Sequence, residues 1–213
     1  SQPLARIGEI PHDGPEVWTG GTLFPLSSKK IARGINAFSG SLPLVILANL
    51  SGFDGSPESL RKLQLEYGAE IGRAIVNFHG PIFFIVTARY HGGAYVVFSK
   101  SLNPGITVVA FEGAFASVIG GAPAAAVVFP RQVLKETYAD PRIEEAEKKL
   151  TPGFPGSQKD FDELFQEVYA EKQRELAKTF DTVHSVERAR KVGSIDEIIE
   201  PSTLRPYLIS RLK

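Results

Sequence analysis

Two continuous apolar runs, each ending at a glycine loop, constrain the fold of this chain most tightly. Leu44-Val-Ile-Leu-Ala-Asn-Leu50 stops at Ser51-Gly52-Phe53-Asp54-Gly55-Ser56, and Ile82-Phe-Phe-Ile-Val86 leads on to His91-Gly92-Gly93-Ala94. Runs of this length between turn signals suit strands buried on both faces, as in parallel sheets covered by helices. A helical pattern follows each loop. Pro57 suits a first helical turn, and Leu60, Leu63, Tyr67, Ile71, Ala74, Ile75 and Phe78 mark one helix to about Phe78. After the second loop the spacing predicts a helix from Tyr95 to Leu102. A short strand over Ala114 to Ile119, then Gly120-Gly121 and a small-residue helix to Phe129, form a third unit. Strand, glycine loop and helix thus recur at 44–78, 82–102 and 115–129, which predicts a layered α/β fold with parallel strands and the loops on one edge.

The flanks are simpler. Residues 1–24 form an extended Gly/Pro-rich lead-in with the single tryptophan, Trp18. Ser27 is expected to cap a helix ending near Phe38, with Ile31, Ile35 and Phe38 inward and Gly40 closing it. Gly68 and Gly72 each cost about 1 kcal/mol in an exposed helix, so their spacing of four implies close approach to the sheet or a partner. Ile106 to Phe111 is a further strand. Charge concentrates over 131–191, which predicts a solvated helical layer: after a loop at 152–156, Phe161, Leu164, Phe165, Val168, Tyr169, Leu176 and Phe180 mark one long amphipathic helix as a core or interface stripe. Val183 to Val192 reads as a helix ended by Gly193, Ile195 to Ile199 as a strand, and Pro201 as the start of a last helix.

Composition excludes several classes. Lys+Arg and Asp+Glu both number 24, so no net field draws nucleic acid or anionic lipid. The absence of cysteine excludes disulfides and thiolate metal sites and fits a reducing, cytoplasmic setting. The absence of methionine, initiator included, implies a piece of a larger polypeptide. No signal peptide is visible, and the most apolar run, Ala114 to Phe129, is too short and too interrupted for a membrane span. His12, His79, His91 and His184 lie far apart, so no metal site is expected, and the Asn49-Leu50-Ser51 sequon reads as chance.

Familiar nucleophile, metalloprotease, P-loop and dinucleotide motifs are all missing. What remains is Gly92-Gly93. A glycine pair at a strand-to-helix corner serves a tight turn, or it exposes bare N–H groups able to hold an oxyanion. Similar loops at Ser51–Gly55 and Ile119–Gly121 would let several such corners converge on one pocket. His91 beside it reads as a packing residue with a backbone hydrogen bond or as a general acid–base. Asp54 reads as a cap for the following helix, and Lys29, Lys30 and Arg33, like the 142–149 charges, as solvated helix faces.

Trp18-Thr-Gly-Gly-Thr-Leu-Phe-Pro-Leu-Ser-Ser-Lys-Lys30, Leu42-Pro-Leu-Val-Ile-Leu-Ala-Asn-Leu-Ser-Gly-Phe-Asp-Gly-Ser56 and Ala88-Arg-Tyr-His-Gly-Gly-Ala-Tyr95 closely resemble the C-terminal half of biotin-dependent carboxyltransferases, the acetyl- and propionyl-CoA carboxylase type. His184-Ser-Val-Glu-Arg-Ala-Arg-Lys-Val-Gly-Ser-Ile-Asp-Glu-Ile-Ile199 resembles that family's closing segment. The resemblance implies a crotonase-like (ClpP-like) fold of superhelical ββα units with a helical segment appended after about residue 130. Residues 25–213 would be the C-terminal subdomain, with 131–191 a helical layer within it. The implied reaction moves a carboxyl group from carboxybiotin to the α-carbon of an acyl-CoA. Biotin would ride on a carrier-domain partner, and an N-terminal carboxyltransferase half would complete the site in a dimer or larger homo-oligomer. The resemblance further implies that Gly93 and Ala94 form an oxyanion hole for the biotin ureido oxygen, with Ser51, Gly52, Phe53, Gly55, Gly92 and Tyr95 lining the biotin pocket. Val96 falls where relatives vary a residue linked to acyl-chain choice. Ser51 replaces an arginine of the eukaryotic relatives, and the strand pair they carry between segments like Arg6–Ile10 and Trp18–Gly21 is absent. A stand-alone crotonase-fold hydratase, decarboxylase or thioesterase, or a non-catalytic interaction module, are the alternative readings.

Overall fold

The computed structural model describes residues 19–150 and 155–212, with the backbone alone for residues 155 and 156. Trp18, His12, most of the expected lead-in and residues 152–154 lie outside the described residues. In chain order the elements are β1 (Thr22–Leu23), α1 (Pro25–Phe38), β2 (Leu44–Leu50), β3 (Gly52–Phe53), α2 (Pro57–Arg61), α3 (Gln64–Val76), β4 (Ile82–His91), α4 (Gly93–Val97), β5 (Ile106–Phe111) and β6 (Phe115–Ser117). There follow α5 (Gly121–Pro123), a π-helical turn at Ala124–Val128, α6 (Pro130–Tyr138), α7 (Pro141–Lys148), α8 (Pro155–Val183), α9 (Val186–Lys191), β7 (Glu197–Ile199), a 3-10 turn at Pro201–Thr203 and α10 (Leu204–Arg211). Contacts divide the chain into an α/β unit, up to Val118 and again from His184, and a helical unit over Ile119–Val183.

The α/β unit is built on a five-stranded, wholly parallel sheet in the order β2-β4-β5-β7, with β6 beside the end of β4. β4 is central because it is long: Ile82–Val86 pairs with β5, and Arg89–His91 pairs with β6. Its alternating side chains serve two cores. Ile82, Phe84 and Val86 pack with Ile35, Ile71 and Ile75 of α1 and α3, while Phe83 and Ile85 pack with Val109 under Leu204, Tyr207 and Leu208. Burial on both faces is why this run is apolar without a break. Phe84 packs against a tilted Tyr90 ring and stacks on Phe98, with ring centroids 4.7 and 5.0 Å apart. Asn103, also buried, is satisfied: its amide donates to the carbonyls of Ile75 (2.8 Å) and Phe78 (3.2 Å), closing the end of α3.

Several expectations need correction. β2 is not buried on both faces: it is an edge strand of the described sheet, and Leu47 is 60% exposed. The helix expected over 57–78 breaks in two at Leu63, which adopts a left-handed conformation (φ 64°). Nothing local marks that leucine, since the apolar stripe runs through it. The helix expected at Tyr95–Leu102 starts two residues earlier and ends at Val97. β4 runs to His91, so no loop separates the strand from its glycines. Ser27 is the third residue of α1 rather than its cap, and its Oγ accepts the Phe24 N–H (2.9 Å). Ser56, not Asp54, caps α2 by accepting the Ser59 N–H (3.2 Å), while Asp54 accepts from the Ser56 hydroxyl. Pro155 and Gly156, expected in a loop, open α8. α9 spans only Val186–Lys191, and Pro201 begins a 3-10 turn ahead of α10. Gly68 and Gly72 face the Phe53 ring and Leu102 and Val97, but added Cβ atoms would meet them at 3.5 and 3.7 Å, ordinary van der Waals contact, so neither spacing requires glycine.

The helical unit is held by side chains. α8, 29 residues long, buries Val168 and carries Phe161, Phe165 and Tyr169 in a row, with Tyr138 of α6 against Phe165 at 5.1 Å. Asp140 caps α7 and pairs with Arg142 (3.0 Å) and Lys172 (3.3 Å), while Arg142 also reaches Glu171 (2.6 Å). The hydrogen bonds from Arg142, with Lys172 beside it, hold the Asp140 carboxyl below the usual carboxylate range. Among the described residues no helix is long and apolar enough to cross a membrane.

Candidate functional site

Three glycines with positive φ meet at the C-terminal ends of β2 and β4: Gly21 (φ 80°), Gly52 (φ 122°) and Gly92 (φ 65°). The Ser51 N–H donates to the Gly21 carbonyl (2.9 Å), so β1 and β3 lie parallel beside each other. A Cβ on Gly92 would stand 3.0 Å from Gly52 Cα and 3.3 Å from the Ser51 carbonyl oxygen. Only a residue without a side chain, in a region L-residues avoid, lets these two backbones touch. The Gly92 N–H donates to the Val118 carbonyl (2.9 Å), tying the corner to the segment after β6.

Gly93 is constrained differently. Its own Cβ would fall 2.4 and 2.7 Å from the Phe53 ring, which also lies beside Gly68. The turn closes behind it, the Tyr95 N–H donating to the Gly92 carbonyl at 3.0 Å. Gly93 and Ala94 are the first two residues of α4, where N–H groups have no intrahelical acceptor. Among the described residues no other acceptor reaches them. Two successive backbone donors are thus available at a corner held by Gly52, Phe53 and Gly92.

The structure therefore brings together Ser51, Gly52, Phe53, Gly92, Gly93 and Ala94. Gly55 stands apart, exposed and with open space where a Cβ would be. Tyr95 turns inward: its ring lies 4.9 Å from that of Tyr90, and its hydroxyl donates to Ser194 Oγ at 2.8 Å. Val96 is 56% exposed on α4. Burial pushes the Tyr90 hydroxyl far above the ordinary tyrosine range, so it stays protonated, donating to the Tyr95 carbonyl at 3.3 Å. His91 is buried, its Nδ1 3.1 Å from Ser117 Oγ and 3.3 Å from the Ser117 carbonyl, which is the packing arrangement. Gly121 has its N–H committed to Asp181 Oδ1 (2.7 Å) and lies so close to α8 that a Cβ would be 2.2 Å from the Ala177 carbonyl. That glycine serves helix packing and offers no free donor. Sequence reasoning gave no role to Gly21, although the Gly20-Gly21 pair before a short strand repeats the signal it read at Gly92-Gly93. Among the described residues no cluster of three metal-ligating side chains exists.

The described residues thus form a parallel α/β fold with backbone amides, rather than charged side chains, at the glycine corner where its strands end. The family model for the carboxyl transferase domain matches residues 4–213, and the chain belongs to that family. Acetyl-CoA carboxylase of Saccharomyces cerevisiae is 29% identical over 167 residues, 71% of this chain and 7% of that protein. The β subunit of Pseudomonas aeruginosa geranyl-CoA carboxylase superposes with a TM-score of 0.64 at 21% identity, covering 90% of this chain and 32% of its own. The transcarboxylase 12S core, solved with hydrolysed methylmalonyl-coenzyme A bound, gives 0.64 at 23% identity, covering 90% and 31%. The likeness to these solved structures shows a shared α/β fold. The chain spans less than a tenth of the curated relative and about a third of the solved chains.

Proposed function

We propose that this chain is the biotin-side part of an acyl-CoA carboxylase's carboxyltransferase site. The observation that carries the proposal is the pair of uncommitted amides at Gly93 and Ala94 beside the Gly52–Gly92 contact. The group fits: a ureido oxygen needs donors and no countercharge, and among the residues meeting at this corner no ionised side chain stands. Carboxybiotin, delivered on its carrier domain, would lie against Gly52, Phe53 and Gly92 with its ureido oxygen toward Gly93 and Ala94, and would supply the carboxyl group that replaces a proton on the acyl-CoA α-carbon, that proton passing to biotin. Gly93 and Ala94 would donate to the oxygen on which charge develops, and their fixed backbone needs no reorganisation at that moment. Gly52 and Gly92 hold the corner in place, and Phe53 fills the space over Gly93. Ser51 adds no positive charge, so the carboxylate clamp would come from the other half of the site. The name of the transcarboxylase structure, with hydrolysed methylmalonyl-coenzyme A bound, supports an acyl-CoA as the acceptor.

Reconstitution tests this. The chain alone should form no carboxylated product from acyl-CoA and carboxybiotin; combined with the coenzyme-A-binding remainder of its carboxyltransferase it should do so. Turnover by the isolated chain, or none by the combination, would sink the split-site reading.

A further inference from the structure

α4 is five residues long, and a helix this short does not hold itself. Its N-cap, Gly92, has no side chain with which to cap it. Glycine is also permissive in its backbone, so the direction of the two amides that follow needs a restraint from elsewhere. Two bonds converge on Tyr95, the residue next to Ala94. The buried Tyr90 hydroxyl donates to the Tyr95 carbonyl (3.3 Å), and the Tyr95 hydroxyl donates to Ser194 Oγ (2.8 Å). The Tyr95 ring packs into the core beside that of Tyr90.

Ser194 is itself held. Its N–H donates to the Ala189 carbonyl of α9 (2.9 Å). Two residues on, Asp196 is bound to β5 in both directions: its N–H donates to the Val108 carbonyl and its Oδ2 accepts the Val108 N–H, each at 2.8 Å. Asp196 also pairs with Lys100, just beyond α4. Residues 194–196 thus grip α4 near its start and again past its end, and they pass that grip to the central sheet. Supports of this kind, one step removed from a reacting group, decide how well it is preorganised.

On the split-site reading of the corner, we infer that Ser194 is a positioning residue: by holding the Tyr95 hydroxyl it sets the direction of the Gly93 and Ala94 amides. Tyr95 then supports the pocket from within the core and does not line it. The test compares Ser194→Ala, Tyr95→Phe and the double variant with Tyr207→Phe. That control loses a tyrosine hydrogen bond of the same kind, to Glu197 at 3.0 Å, on the other face of the sheet. Backbone amide relaxation on the full chain should give Gly93 and Ala94 rigid order parameters, about 0.85. Both single variants should lower them distinctly, and Tyr207→Phe should not. In the reconstituted enzyme each single variant should lower kcat about fivefold, the scale of one hydrogen bond, and leave the acyl-CoA KM in place. The double variant should match the singles, because all three remove the same bond. Tyr207→Phe should keep its kcat, which separates positioning from a loss of stability. Order parameters unmoved in Ser194→Ala and Tyr95→Phe overturn the inference; so does an unchanged kcat, or a double variant that adds the two effects. If the unaltered combination forms no product, the split-site reading falls, and the order parameters alone decide whether Ser194 holds the corner.

Discussion

The α/β unit and the helical unit use glycine to opposite ends. At the Gly52–Gly92–Gly93 corner, missing side chains bring backbones together, and among the described residues two amides are uncommitted. At Gly121 the missing side chain brings α5 against α8 and the amide is consumed by Asp181. Both are glycines opening a helix, and the sequence around them is alike. The difference lies in what the N–H meets: no acceptor among the described residues at Gly93, a carboxylate at Gly121. A glycine corner is thus a candidate anion site only where nothing charged already fills it.

The comparison can be broken most severely at Gly93. In the reconstituted enzyme Gly93→Val should lower kcat by at least about 100-fold, the scale of losing an oxyanion donor, because the new side chain collides with Phe53 and turns the corner. A steady-state assay retaining a tenth of the activity would contradict the role. Gly121→Ala should instead cost stability, roughly 1–3 kcal/mol for overpacking, seen as an earlier urea transition of the helical unit with the corner's amide resonances unmoved. Asp140→Asn is a smaller change, and it is pH-dependent. The folded carboxyl titrates below its unfolded value near 3.9, so its contribution is whole at neutral pH and is lost as pH falls below about 4. Urea melts of the two proteins should therefore differ at pH 7 and converge at acid pH. Gly55→Ala should be nearly silent, within about 0.5 kcal/mol and with activity kept, since only open space faces it.

Much of this was legible in the residues. β4 announced itself because burial on two faces demands an unbroken apolar run, and Gly92-Gly93 because a sheet edge rarely tolerates two glycines without reason. Leu44–Leu50 misled for the same cause: its apolar run reads as doubly buried, yet among the described residues Val45 and Leu47 on one face are exposed. The break at Leu63 was invisible, because the left-handed residue is a half-exposed leucine on the apolar stripe, with no glycine or asparagine to mark it. The direction in which an amide points also escapes the sequence. Nothing in the letters separates Gly121, bound to a carboxylate sixty residues away, from Gly93.

The central claim is that the Gly93 and Ala94 amides, rather than any side chain, do the chemistry of this corner. Replacing the Ala94 residue by lactic acid through semisynthesis exchanges one N–H for an ester oxygen and leaves every side chain in place. The same exchange at Val97, inside α4, is the control. In the reconstituted enzyme the Ala94 ester should lose about 100-fold or more in kcat with the acyl-CoA KM unchanged, and the Val97 ester should lose little. An Ala94 ester as active as the control would contradict the account.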